Sequence, residues 1–169
     1  MAILDPEHLL EQAQRLVEPP LAGPPRQVDV RRAISAAYYA VFHATLAAAA
    51  DQFVGVTKRS TSQYTLVYRS VDHKIFRELC SEAKRSQLSD KYARHVPPDG
   101  FGPNIQAFAA AVLELQEKRH SADYDPSIRV KTSDAIVAIA AARSALNRFL
   151  GADLPRREAF LGLLLFRPR

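Results

Sequence analysis

Residues 30–50 contain neither glycine nor proline, and nine of these twenty-one residues are alanine. Alanine loses least on entering a helix, so an uninterrupted run of this kind commits the chain to one long helix. Asp29 immediately before the run is the expected N-cap. The rest of the chain must then be compatible with a long helix at its centre.

Asp5-Pro6 followed by EHLLEQAQRLVE predicts a capped first helix, ended by the proline-rich PPLAGPP at residues 19–25. Residues 51–70 mix β-branched and hydroxyl side chains, which predicts a loop with room for a brief strand. A shorter helix is expected over residues 72–85, then a loop over residues 89–104. Asn104 is the expected cap of a fourth helix running through Arg119, and Gly151 the expected end of a fifth that starts at Thr132 or Ser133. A last short helix is expected at residues 156–166. No strand–helix alternation, glycine-rich phosphate loop or internal repeat interrupts this order. The expected fold is therefore all-α, a four- to six-helix up-and-down bundle in one domain over residues 1–169, with its core at about 27–151.

A helix of this composition would bury alanines and aliphatics, yet RRAISAAYYAVFHA at residues 31–44 carries more chemistry than packing needs. At 100° per residue, Arg32, Ser35, Ala36, Tyr39, His43 and Leu46 share one stripe, and Ile34, Ala37, Tyr38, Val41 and Thr45 another. Two arrangements satisfy the first stripe. Arg32 and His43 lie at the rim while Tyr39 packs its ring, or the three line a groove where arginine holds phosphate, tyrosine stacks a base and histidine moves a proton.

A second constellation ends the fourth helix. Ile105, Phe108, Ala109, Val112 and Leu115 form its apolar stripe, and Arg119 continues that stripe. A guanidinium on an apolar face needs a partner, either Asp123 at i+4 or an acid delivered by packing. Within KRHSADYDP, residues 118–126, Arg119, His120, Asp123 and Tyr124 fall together just before Pro126. Arg143 shares a stripe of the fifth helix with Ile136, Ile139, Ala140 and Leu150, and is a further candidate to face the same interior.

Charge sharpens the reading. Lys and Arg number 23 against 18 Asp and Glu, and 17 of the 23 are arginine, whose planar fork suits phosphate. Either a nucleic acid or nucleotide partner or a compositional bias accounts for this excess. Cys80 is the only cysteine, so neither an intrachain disulfide nor a cysteine zinc site can form. The five histidines are scattered without ligand spacing, and no nucleophile elbow is present. No metal or cofactor is expected. The N-terminus turns acidic at once, and the apolar stretch at residues 159–166 is shorter than the roughly 20 residues a bilayer requires, so a cytoplasmic protein without a membrane partner is expected. That stretch, AFLGLLLF, either packs on its own bundle or marks a protein contact.

The helix with AAYYAVFHA and the later RHSADYDP together resemble the HEPN superfamily, small all-helical proteins, over about residues 30–150. The likeness is nearest to stand-alone HEPN proteins with an Arg-x-x-Ala-Asp-Tyr motif, here Arg119 to Tyr124. The resemblance implies a bundle that dimerises through its main helices. It implies either a metal-independent RNase, often the toxin of a toxin–antitoxin pair, or a helical partner of a nucleotidyltransferase. Active HEPN nucleases carry arginine, four to six residues, then histidine. None of His8, His43, His73, His95 or His120 stands at that distance after an arginine, and Tyr124 occupies the histidine's place relative to Arg119. For cleavage, the remaining candidates are Arg119 as cation and His43 as base. The leading expectation is a nucleotide- or RNA-binding module, homodimeric, working with a nucleotidyltransferase or antitoxin. Its candidate ligand-binding residues are Arg32, Tyr39, His43, Arg119, His120, Asp123, Tyr124 and Arg143. The alternatives are the RNase toxin and a purely protein-interacting module.

Overall fold

A computed structural model describes residues 4–168; residues 1–3 and 169, which the expected domain includes, lie outside the described residues. α1 (Pro6–Val17) starts as predicted, with the Asp5 carboxylate accepting from the Glu7 N–H at 3.0 Å. α2 (Gln27–Phe53) begins earlier than its sequence suggests. Asp29 is not its cap: Arg26 holds that position without a side-chain hydrogen bond, and Asp29 lies in the first turn. There its charge suits the positive end of the helix dipole, and it accepts from Arg26 Nε at 2.9 Å.

The segment expected as loop or strand is largely helical. A single 3-10 turn (Val56–Lys58) leads into α3 (Ser62–Tyr68), whose cap is the Thr61 hydroxyl. Low helix propensity is overruled here by packing, because Tyr64 buries against α2 and its hydroxyl donates to Asp51 at 3.0 Å. α4 (His73–Ala83) is capped by Asp72, and the short α5 (Asp90–Ala93) interrupts the expected loop. α6 (Gly102–Tyr124) begins before Asn104. Asn104 instead donates its side-chain amide to the Gly151 carbonyl at 2.8 Å, tying α6 to the end of the next helix. α6 also runs past Arg119 to Tyr124, ending only where Pro126 forbids continuation. α7 (Thr132–Leu150) and α8 (Leu154–Leu165) complete the chain.

The described residues are thus all helical, and six of the helices have more than ten residues. α2 is the axis. It packs on α1, α6 and α7 along its length, and on α3 and α8 toward its end. Its buried alanines, among them Ala33, Ala37 and Ala40, let these neighbours approach closely. By length and composition α2 could cross a membrane, but 72% of its most apolar window is buried within the bundle, as in a central core helix. Around it runs one continuous apolar core. Phe108 of α6 sits among Phe76, Phe149 and Phe160 at centroid distances of 6.3, 4.9 and 5.6 Å, joining α4, α7 and α8. The apolar C-terminal stretch belongs to this core: Phe160, Leu161, Leu163 and Leu164 are buried, and Phe166 is exposed.

Candidate functional site

The stripe predicted on α2 and the motif predicted on α6 face each other. Arg119 is 8% exposed, and its guanidinium carbon lies 5.6, 5.4 and 5.7 Å from the ring centres of Tyr38, Tyr39 and Tyr124. Three phenol rings around one guanidinium offset part of what its burial costs, since cation–π attraction strengthens as water is excluded. Arg119 Nε donates to Asp123 Oδ2 at 3.0 Å, and Nη2 reaches the Tyr124 hydroxyl at 3.4 Å. The other Asp123 oxygen accepts from the Ser35 hydroxyl, which bridges the pair to α2. Of the two partners open to Arg119 from the sequence, the i+4 aspartate is the one realised.

Neighbouring arginines divide the work. Arg31 donates to the carbonyls of Ala122 at 3.0 Å, Asp125 at 2.8 Å and Ile128, and so fixes the turn after α6. Gln27 adds a two-way bond with Val130, at 2.7 and 3.0 Å. Arg32 is exposed and makes no ion pair or hydrogen bond among the described residues. A cavity of about 450 Å³ lies between α2 and α6; Arg32, Tyr39, Arg119, Asp123 and Tyr124 line it. Arg119 Nη1 has no hydrogen bond among the described residues, so two arginines, one exposed and one caged, have donors to offer there.

His43 does not join this cavity. It lines a second one of 570 Å³ between α1 and α2, which shares Val28, Arg32, Ser35 and Tyr39 with the first. The Tyr39 ring stands next to both candidate catalytic groups, 5.4 Å from the Arg119 guanidinium carbon and 6.0 Å from the His43 ring centre. His120 is exposed with its ring 5.0 Å from that of Tyr124, and lines neither cavity. Arg143 stands apart and does not face the interior: its stripe on α7 is largely exposed, with Ile139 alone buried, and it pairs at the surface with Glu7 of α1 at 2.5 Å, away from the cleft. Among the described residues no three His, Cys, Asp or Glu side chains converge as a metal site would need.

Two residues with no mark in the sequence complete the surroundings. His73, placed at the start of α4 by the Asp72 cap, lies 4.2 Å from Phe42 ring to ring and bonds Tyr38 through Nδ1 at 2.8 Å. Tyr68 of α3 bonds His43 Nδ1 at 2.7 Å. Burial pushes the Tyr38 phenol above its ordinary range and lowers the His73 imidazole, with the Arg119 charge lowering His73 further. His43 is lowered by burial alone. Both imidazoles therefore resist protonation in the folded state more than in the unfolded chain. The stability this contributes is full above the unfolded value of 6.5 and falls as acid drives protons onto the native histidines. Thermal melts should hold steady above neutral pH and drop below about pH 6, and His73→Gln should flatten that drop; an unchanged slope in the variant would remove His73 from the account.

No family model, curated protein or solved structure matches the chain.

Proposed function

We propose that this is a nucleotide- or RNA-binding helical module whose cleft between α2 and α6 holds a phosphate. The observation that carries the reading is the placing of the exposed Arg32 with the caged Arg119 on one cavity beside Tyr39 and Tyr124. Arginine supplies a fork for phosphate and the phenols supply stacking surface, so ligand can be held without being cleaved. The resemblance to HEPN proteins supports the same reading and adds a homodimer and a nucleotidyltransferase or antitoxin partner, and the lone cysteine fits a cytoplasmic setting.

Metal-independent cleavage is less well supported. It needs a base and a cation at one phosphodiester, but His43 and Arg119 line different cavities and the Nδ1 of His43 is occupied by Tyr68. The reading as a pure interaction module loses its main support, since the apolar C-terminal stretch packs on its own bundle.

Anisotropy of a labelled single-stranded RNA, titrated with protein in excess chelator over a range of salt, tests the proposal. Expected are intact RNA and a log affinity that falls with log salt by about 0.7 for each phosphate contacted. Salt-insensitive or absent binding would overturn it. Chelator-resistant cleavage lost in both Arg119→Ala and His43→Ala would replace it with the nuclease.

A further inference from the structure

Four residues, Val28, Arg32, Ser35 and Tyr39, belong to both cavities, so the two form one trough folded over the edge of Tyr39. Its lobes differ sharply in chemistry. The α2–α6 lobe is cationic. The α1–α2 lobe has an apolar floor of Leu9, Leu16, Val28 and Ala36, with polar groups of Gln12, Asp29 and His43 around it.

We infer that the α1–α2 lobe is the seat of a nucleobase, and that the trough takes one nucleotide of a single strand, base toward α1 and phosphate toward α6. This rests on the proposed function above and names the part of the ligand that the first cavity does not explain. Both lobes, at 570 and 450 Å³, are large enough for a base and a phosphate, within the about 300–1,000 Å³ typical of small-molecule sites. A nucleobase joins a flat apolar face to a polar edge, and the lobe offers both. Gln12 is exposed, makes no hydrogen bond among the described residues, and presents an amide that donates and accepts. His43 is fixed by Tyr68 at Nδ1, which leaves its Nε2 edge unbonded among the described residues. Asp29 keeps one carboxylate oxygen on Arg26. An acyl chain would fill the floor equally well but would strip water from these three polar groups without replacing it, whereas a base edge can bond them. An anionic headgroup on a hydrocarbon tail is therefore the poorer fit.

Gln12 is the residue that tests the assignment, because its side chain is exposed on α1 and can be shortened without touching the core. Binding of a short oligoadenylate is compared with that of an abasic ribose–phosphate strand of equal length and charge, for the wild type and Gln12→Ala. The wild type is expected to hold the oligoadenylate about tenfold more tightly, a gain of the size that one base beside an aromatic ring, here Tyr39, provides. Gln12→Ala, which removes the amide that meets the base edge, should cut that preference several-fold with the melting temperature unchanged. Equal affinity of the wild type for both strands, or an undiminished preference in Gln12→Ala, would overturn the base lobe while leaving the phosphate cleft standing. Binding of neither strand would overturn both.

Discussion

Arg119→Gln should lower affinity for single-stranded RNA at least tenfold and flatten its dependence on salt, while the helical content stays that of the wild type. The guanidinium joins the parts of the cleft, lying beside three phenol rings, bonding the Asp123 carboxylate and lining the cavity itself. Glutamine fills most of the same space and can still donate to Asp123, so the variant removes charge with little loss of packing. Asp123 is then left with only Ser35 and its exposed side to balance it, and it repels phosphate. Loss of one cation from the contact set should reduce the salt slope by about one contact's worth. Arg119→Lys should recover part of the slope but not the affinity, since an ammonium keeps the charge and loses the fork. If Arg119→Gln binds as the wild type does, the guanidinium is a structural cation and the phosphate reading fails.

The largest loss of stability is expected at Phe108. Its side chain is fully buried and meets Phe76, Phe149 and Phe160, so four helices share one aromatic cluster there. Phe108→Ala should cost about 3–5 kcal/mol, the lost transfer energy plus the cavity left behind. Against a total stability of about 5–15 kcal/mol for a domain of this kind, that is a large share. Thermal denaturation should shift down by roughly 6–20 °C for a chain of this length. A shift of only a degree or two would mean that the bundle closes around the gap, and that α4 and α8 are held mainly elsewhere.

The sequence made the fold class and the two halves of the cleft legible for one reason: both are helical patterns, and a helix places residues three and four apart on a common face whatever surrounds it. Arg32 with Tyr39, two turns on, and Arg119 with Asp123, one turn on, are relations of that local kind. What escaped was set by contacts between distant segments. Asp29 has the chemistry of a cap, but the helix gained two further residues before it because Gln27 finds Val130, 103 positions later in the chain. Thr61 to Tyr68 reads poorly as helix until Tyr64 is given α2 to pack on. His73 and Tyr68 acquire meaning only from Tyr38 and His43, to which no spacing connects them. Arg143 illustrates the converse. Of its stripe on α7 only Ile139 is buried; the helix turns its alanine face inward instead, which leaves Arg143 at the surface to pair with Glu7.

The bonds that hold the cleft together join Gln27, Arg31 and Ser35 to residues 88 to 103 positions later in the chain. During synthesis, therefore, a ribosome that has delivered only the first two thirds of the protein has produced tyrosines with no guanidinium between them and an arginine with no carbonyls to hold. Closing so long a segment is slow compared with coiling a helix, so helices come first and the cleft last. The cleft is in that sense a seal on the finished molecule: nothing can occupy it until the two ends of the bundle have met.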